Sequence, residues 1–384
     1  MDLSRRDLLA TSALLLAGSG LARPGLTLGG QSAGTGPAPA PAAPPGPQSA
    51  PLSTQPIVLC WNENPYGPSP AARAVLSHTI PLSCRYPNEE NGQLTAALAE
   101  HERMPPDHIV LGTGSGELLR ALGLLNGRNG GEIIAAQPTY SELTDYARQS
   151  GATLKFVPVD KTLKHDLTAM RAAVSAHTRA VYICNPNNPT GTALQAEAIE
   201  AFVNSLPDGV TTIVDEAYMD FADLYGVQTV SGLVTKGKRV VVLRTFSKIH
   251  GMAGIRVGYG LARPDIINDI SAVTMTSPNI FAVRAARASL GDHGFLIDTR
   301  RRIIGSRQRI TRELTGLGLA YAEPQGNFVF FNTGKPLERF TELMQARNIL
   351  VGRPFPPYDT WCRITIGTEP EVTAFLQALH AIPA

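Results

Sequence analysis

Short apolar runs alternate with amphipathic stretches from about residue 105 onward, and this alternation constrains the fold more than any other feature. The strand-like runs are residues 109–111, 132–136, 180–184, 211–215 and 239–243. Stretches with helical spacing lie between several of them, at residues 117–125, 143–148 and 196–206. Continuous apolar strands that alternate with helices indicate a sheet buried on both faces. We therefore predict an α/β fold with a mostly parallel central sheet.

The pattern changes after about residue 285. A long, arginine-rich helical stretch covers residues 284–317, and two strand-like runs follow at 327–332 and 363–366. Helical patterns lie between and after these runs, which predicts a smaller α+β domain at the C-terminal end. The predicted division is an N-terminal arm (56–85), a large domain (86–285) and a small domain (286–384).

The first 55 residues differ from the rest in composition. Arg5 and Arg6 precede an apolar stretch and then small residues up to Ala22. This order is typical of a twin-arginine export signal over residues 1–22, although a short N-terminal helix is an alternative. Residues 23–55 are mostly Pro, Ala, Gly, Ser and Gln, which predicts a disordered tether. We expect export in the folded state to a periplasmic or other extracytoplasmic location.

Composition excludes several kinds of partner. The net charge is +2 and charged residues make up 17% of the chain, with no basic stripe that would indicate nucleic-acid binding. After the signal, no apolar run is long enough to span a membrane. The four cysteines (Cys60, Cys84, Cys184 and Cys362) are scattered, so we expect free thiols. We predict no metal site.

Lys248 stands directly after Ser247, just beyond the apolar run 240–243. A lysine at the end of a buried strand is costly unless its amine is neutralised, paired or covalently used. A desolvated lysine readily forms a Schiff base with an aldehyde such as pyridoxal phosphate. The position alone is equally compatible with a side chain that extends to the surface. Both interpretations stay open at this point.

Other polar groups follow the predicted strands. The turn 112–116 offers backbone amides and the hydroxyls of Thr113 and Ser115 to a single phosphate, although such a turn alone is weak evidence. Asp215 ends an apolar run and needs a cationic partner, which a pyridinium nitrogen or an arginine would supply. Tyr218 and Asn188 can donate to a cofactor oxygen, but Asn-Pro is also an ordinary turn former.

The combination is more specific than its parts. The segments Asn188-Pro-Thr-Gly, Asp215-Glu-Ala-Tyr218 and Ser247-Lys248, with Arg256 after them, resemble class I/II, fold-type I pyridoxal-phosphate aminotransferases in order and spacing. The resemblance covers about residues 57–380. Further stretches are similar to the histidinol-phosphate aminotransferase branch, at residues 61–70, 85–87, 138–140, 185–191 and 362–368.

The resemblance implies a role for each matching residue around the cofactor, pyridoxal 5′-phosphate. Lys248 would carry it as an aldimine and then move the proton, and Asp215 would bind its ring nitrogen. The other implied cofactor contacts are Asn188 and Tyr218 at the ring hydroxyl, Tyr140 on the ring face, and Gly114, Ser115, Ser247 and Arg256 at the phosphate.

The resemblance also implies a partner subunit and residues that bind the substrate. Tyr86 would reach the phosphate of the neighbouring subunit, which makes the expected enzyme a homodimer with composite sites. Arg363 would hold the acidic group of the substrate, and Asn64 would lie near it. Arg353 stands where the family often has a second arginine that faces the substrate.

The predicted activity is transfer of an amino group between an amino acid or related amine and a 2-oxo acid in a ping-pong cycle. Histidinol phosphate is a cytoplasmic metabolite, and the export signal therefore favours another donor, such as an ordinary or aromatic amino acid. A decarboxylase or oxidase of the same fold is the alternative enzyme class. A cofactor-binding regulatory domain is the non-enzymatic alternative, for which the sequence offers no fused DNA-binding module.

Overall fold

A seven-stranded sheet forms the centre of residues 55–382, which are the residues that the structure, a computed structural model, describes. Its strands are β2 (Ile109–Gly112), β3 (Glu132–Gln137), β4 (Thr153–Pro158), β5 (Thr178–Cys184), β6 (Thr211–Asp215), β7 (Val240–Thr245) and β8 (Gly258–Leu261). The spatial order is β2-β8-β7-β6-β5-β3-β4. Strand β8 is antiparallel to β2 and β7, whereas all other neighbours are parallel. The mostly parallel sheet is therefore confirmed.

Both faces of this sheet are buried. In β5, Ala180 and Tyr182 belong to one apolar core, whereas Val181 and Ile183 belong to the other. The helices that cover the sheet are α1 (Pro70–Thr79), α2 (Asn88–Glu102), α3 (Ser115–Gly127), α4 (Glu142–Gln149), α5 (Leu167–Ala172), α6 (Ala196–Ser205), α7 (Gly232–Thr235), α8 (Pro264–Ser271) and α9 (Ile280–Leu290). Residues of α3, α4 and α8 pack on the first face, and residues of the other six helices join the core of the second face.

Two small sheets and three further α-helices, together with three short 3-10 helices (Ile80–Leu82, Pro106–His108 and Met219–Phe221), complete the regular structure of the described chain. The strands are β1 (Ile57–Val58), β9 (Phe328–Asn332), β10 (Ile349–Leu350) and β11 (Trp361–Thr365). The helices are α10 (His293–Gly316), α11 (Leu337–Gln345) and α12 (Glu369–His380). Strand β9 is antiparallel to β11, and β1 is parallel to β10. These strands and α-helices share an apolar core of their own, to which Leu59 of the N-terminal segment contributes.

The predicted helical stretch 284–317 is two helices in the structure. Helix α9 ends at Leu290, and α10 begins after Asp292, whose carboxylate accepts a hydrogen bond from the Phe295 amide at 3.4 Å. Gly291 and an N-capping aspartate interrupt the helical hydrogen bonds, which apolar spacing alone did not reveal.

The N-terminal segment is tied to the C-terminal strands. The Leu59 amide donates to the Leu350 carbonyl at 2.8 Å, and the Thr365 amide donates to the Leu59 carbonyl at 2.9 Å. The residues that follow Leu59 are thereby held beside β11. The predicted signal and almost all of the tether lie outside the described residues, and the domain boundaries stay predictions. Among residues 55–382, no helix has both the length and the apolar character that crossing a membrane requires.

We expect Gly251→Ala to lower the free energy of unfolding by about 2–5 kcal/mol. Gly251 has φ +68°, and an added Cβ would lie 2.1 Å from the Gly67 carbonyl oxygen. The left-handed backbone costs roughly 1–2 kcal/mol and the overlap adds about 1–3 kcal/mol. Gly237→Ala is the matched control, because Gly237 has φ +74° and open space around it. Urea unfolding should show a clearly smaller loss for Gly237→Ala, and equal losses would contradict the packing argument.

Candidate active site

A cavity of about 930 Å³ lies at the carboxyl ends of β2, β5, β6 and β7. Side chains that follow parallel strands meet at one edge of the sheet. Here Cys184, Asp215 and Leu243 stand side by side on three neighbouring strands. The structure brings ten of the predicted residues to this cavity: Ser115, Tyr140, Asn188, Asp215, Tyr218, Ser247, Lys248, Arg256, Arg353 and Arg363.

Lys248 presents its amine to the cavity from the turn after β7. Its Nζ donates to the Asn62 carbonyl at 2.9 Å and lies 5.3 Å from the centre of the Tyr218 ring. Among the described residues, no carboxylate lies within 4 Å of this amine. Burial, with a smaller contribution from the positive charge of Arg363, lowers the pKa of Lys248 to about 8. The amine is therefore far easier to deprotonate than that of an exposed lysine.

Asp215 is the last residue of β6, and its carboxylate is buried. Oδ2 accepts a hydrogen bond from the Tyr182 hydroxyl at 3.2 Å, and Oδ1 accepts one from the Ala217 amide at 3.1 Å. Burial raises the pKa of Asp215 to about 6. Within residues 55–382, no cation lies within 4 Å of this carboxylate. A cationic group in the cavity, such as a protonated pyridine nitrogen, would supply the missing partner.

Tyr218 and Asn188 face each other across the turns that follow β6 and β5. The Tyr218 hydroxyl accepts hydrogen bonds from Asn188 Nδ2 at 3.1 Å and from Asn62 Nδ2 at 3.2 Å. Burial raises the pKa of Tyr218 to about 12, so its hydroxyl keeps a proton to donate. Asn62 was not predicted from the sequence. Asn64 was predicted to lie near the substrate, but it does not line this cavity. Its Nδ2 donates instead to the Ile249 carbonyl at 2.8 Å.

The turn between β2 and α3 has the shape of an anion cradle. Gly114 has φ +81°, and a Cβ there would lie 2.3 Å from Arg256 Nη2, so glycine is what lets the guanidinium approach. The amides of the first turn of α3, from Ser115 onward, have no partners within the helix. Ser247 lies beside Arg256, with Oγ and Nη1 3.4 Å apart. The hydroxyl of Thr113 was predicted to face a phosphate, but in the structure its amide and hydroxyl both donate to Glu117.

Two arginines flank Phe355 at the cavity wall. Arg363, on β11, donates from Nη1 to Asn188 Oδ1 at 2.6 Å and from Nη2 to the Cys60 carbonyl at 2.7 Å. Its Nε is buried and lacks a hydrogen-bond acceptor among the described residues, and burial lowers its pKa. Its guanidinium carbon lies 5.0 Å from the Phe355 ring centre, and that of Arg353 lies 4.5 Å from it.

Two predicted tyrosines have different surroundings. Tyr140 lines the cavity, and its hydroxyl donates to Glu142 Oε2 at 3.3 Å. Burial raises its pKa. Tyr86 is 90% exposed and does not line the cavity of its own chain.

The residues fit pyridoxal phosphate as a bound group. A buried carboxylate without a cationic partner, a desolvated amine and a glycine turn that a side chain would fill all face one cavity. They match the ring nitrogen, the aldehyde and the phosphate of this cofactor, respectively. No group of His, Cys, Asp and Glu within residues 55–382 is arranged to hold a metal ion.

Comparison with known proteins agrees with this chemistry. The family model described as aminotransferase class I and II matches residues 54–379. Histidinol-phosphate aminotransferase of Moorella thermoacetica is 36% identical over 331 residues, which cover 85% of this chain and 86% of that protein. Aromatic amino acid aminotransferase of Mycobacteroides abscessus is 37% identical over 327 residues, which cover 85% of this chain and 92% of that protein.

A solved structure is similar over the same region. Histidinol-phosphate aminotransferase from Sinorhizobium meliloti, in complex with pyridoxal-5′-phosphate, has a TM-score of 0.78 and 29% sequence identity. The similarity covers 84% of this chain and 89% of that chain. The predicted fold class and cofactor are thereby confirmed. This chain belongs to the class I and II aminotransferase family.

Proposed function

We propose that this enzyme moves an amino group between an amino acid and a 2-oxo acid, with Lys248 as the residue that moves the proton at the reacting carbon. The reaction class follows from the family, whose members are transaminases that use pyridoxal 5′-phosphate. One observation carries the residue assignment: the buried amine of Lys248 and the buried carboxylate of Asp215 line the same cavity.

Four parts of the chain would hold the cofactor. Asp215 would pair with the ring nitrogen, Asn188 and Tyr218 would bind the ring hydroxyl, and Tyr140 would cover a ring face. The cradle of Gly114, Ser115, Ser247 and Arg256 would hold the phosphate. The chemistry that bound pyridoxal phosphate supplies is a sink for the electron pair left on the substrate carbon.

Lys248 is suited to proton transfer because its pKa of about 8 lies near physiological pH. Its neutral amine takes the proton from the α-carbon of the substrate and can return it to a neighbouring atom. The Asn62 carbonyl, which accepts from Nζ at 2.9 Å, orients the amine. Asp215, whose carboxylate accepts from Tyr182 and Ala217, would supply the negative charge that the protonated ring nitrogen needs.

We propose an aromatic amino acid as the donor. Arg363 Nη1 donates to Asn188 Oδ1 at 2.6 Å, so an anion held by its guanidinium would lie near the residue proposed to bind the ring hydroxyl. Arg363 can hold a carboxylate or a phosphate bidentately, and the 2-oxo acid acceptor carries a carboxylate whatever the donor is, so Arg363 does not choose the donor. An aromatic donor is supported by the aromatic lining of the cavity and by the predicted export signal. Trp61, Tyr146 and Phe355 also line the cavity and offer faces for an aromatic side chain.

We propose a homodimer with composite sites. Tyr86 is 90% exposed, and two residues that line the cavity, Trp61 and Met275, are 67% and 88% exposed. Large apolar side chains exposed at a cavity, as those of Trp61 and Met275 are, are typical of a surface that another protein covers. A second copy of the chain would cover this surface and bring its Tyr86 to the phosphate cradle.

We also propose export by the twin-arginine route. The support lies in the sequence, where Arg5 and Arg6 precede an apolar stretch and small residues. An extracytoplasmic enzyme would meet free amino acids and not the intermediates of histidine synthesis, which agrees with the proposed donor.

Lys248→Ala should lower transamination by about 10³-fold or more, because it removes the residue that moves the proton.

With 2-oxoglutarate as acceptor, aromatic amino acids should give the highest kcat/KM in a panel that includes histidinol phosphate. Arg363→Lys should raise the KM of these donors about tenfold or more, because a bidentate grip is lost. A preference for histidinol phosphate would contradict the proposed donor. Release of CO2 or hydrogen peroxide in place of a keto acid would contradict transamination.

Mixing the inactive variants Lys248→Ala and Tyr86→Ala should restore activity. In a mixed dimer one site combines an intact Lys248 with an intact Tyr86 from the other subunit. Random reassociation should therefore give about a quarter of the wild-type activity. The control is each variant refolded alone, which should stay inactive or strongly impaired. Sedimentation of the wild type as a monomer, or no recovery on mixing, would rule out composite sites.

Residues 1–30 fused to a reporter enzyme should direct its export. Substitution of both Arg5 and Arg6 by lysine should retain the reporter in the cytoplasm, since paired arginines are the recognised feature. Fractionation followed by reporter assay measures both. Cytoplasmic retention of the unsubstituted fusion would contradict export and would restore histidinol phosphate as the favoured donor.

A further inference from the structure

Glu117 accepts four hydrogen bonds directly behind the phosphate cradle. It lies in the first turn of α3. Oε2 accepts from the amide of Thr113 at 2.7 Å and from the Thr113 hydroxyl. Oε1 accepts from the amides of Met275 at 3.1 Å and Thr276 at 3.2 Å. These four bonds fill the usual acceptor capacity of a carboxylate.

Through Oε2, Glu117 holds Thr113, the residue directly before Gly114 of the cradle. Thr113 gives both of its donors to this oxygen, and its carbonyl accepts from Arg256 Nη2 at 3.4 Å. Thr113 is thus held by Glu117 through its amide and hydroxyl and by the proposed phosphate-binding Arg256 through its carbonyl. Hydrogen bonds through this one residue therefore link Arg256 to Glu117.

Through Oε1, Glu117 fixes a wall of the cavity. Residues 273–279 join α8 to α9, and Val273, Met275, Thr276 and Asn279 line the cavity. Within the described chain, the amides of Met275 and Thr276 have no other acceptor. The Met275 side chain is 88% exposed, so burial does little to hold the segment in place. A second tie is Asn279, whose Nδ2 lies 3.3 Å from the carbonyl of Ile255, the residue before Arg256.

We propose that Glu117 is a positioning residue that couples occupancy of the phosphate cradle to the order of residues 273–279. The inference rests on the proposed function, because it assumes that the cradle binds the cofactor phosphate. The two oxygens of the Glu117 carboxylate are rigidly joined. A phosphate that fixes the cradle would fix Thr113 and therefore Oε2. Oε1, which accepts from the amides of Met275 and Thr276, would be fixed with it. Loading the cofactor therefore orders one wall of the substrate site.

Hydrogen exchange of the peptide that contains Met275 and Thr276 tests this coupling. In the wild type, saturating pyridoxal phosphate should slow exchange at these two amides by about tenfold or more, since ordering suppresses local opening. In Glu117→Gln the terminal NH2 cannot accept a hydrogen bond, so one of the two connections is lost. Exchange at these two amides should be the same with and without cofactor, while absorbance shows that the cofactor still binds.

Glu142→Gln is the matched control. Glu142 is another carboxylate of the cavity, bonded to Arg120 and Tyr140 and not to Thr113 or the segment. It should keep the cofactor-dependent protection at Met275 and Thr276. If Glu117→Gln fails to fold by circular dichroism, Thr113→Val replaces it. That variant removes one bond to Oε2 and should reduce the protection by about threefold.

Two results would overturn the coupling. One is a wild type that binds the cofactor with no change in exchange at Met275 and Thr276. The other is a folded Glu117→Gln variant with the same cofactor-dependent protection as the wild type. Absence of cofactor binding to the wild type would be a different failure, that of the proposed function, and absorbance would reveal it separately.

Discussion

The hydrogen bonds that converge on Asn188 and Tyr218 join three separate parts of the chain, and the site depends on them. Asn62 comes from the N-terminal segment, Asn188 and Tyr218 from turns of the central sheet, and Arg363 from β11. None of the three parts contains a complete site. Trp61 and Asn62 of the N-terminal segment and Arg353, Phe355 and Arg363 of the C-terminal part complete the lining of the cavity, so the whole site forms only when both are docked on the central sheet.

The strands that carry the chemistry could be predicted from sequence because both faces of the sheet are buried. β5, β6 and β7 are continuous apolar runs, and the polar residues that follow them stand out. β8 could not be predicted in this way, because Gly258 and Gly260 leave it with little apolar character. Gly258 is required by packing, since a Cβ there would lie 2.5 Å from the Ser115 amide nitrogen.

Site residues were predictable where a local motif marks them and not where distant segments meet. Asn62 and Asn64 share one short motif, and only the docking of that segment decides which of them faces Tyr218. Two of the four bonds of Glu117 come from the amides of Met275 and Thr276, 158 and 159 positions away. An acidic residue in a first helical turn also has a sufficient local explanation in the helix dipole. The bond from Tyr182 to Asp215 could not be predicted for a similar reason, because a tyrosine in an apolar strand needs no role beyond packing.

The bond from Lys248 to the Asn62 carbonyl has a consequence for how quickly the enzyme is loaded. The same carbonyl accepts from Asn327 Nδ2 at 3.1 Å, so the oxygen stays in place whether or not the lysine is bound to it. A free lysine side chain has about 2 kcal/mol of rotamer entropy to lose when it is held in one geometry. In this protein much of that ordering is completed during folding. If Lys248 is the attachment point that the resemblance implies, its amine would already be held in the cavity when the cofactor arrives, and less side-chain entropy would remain to be lost.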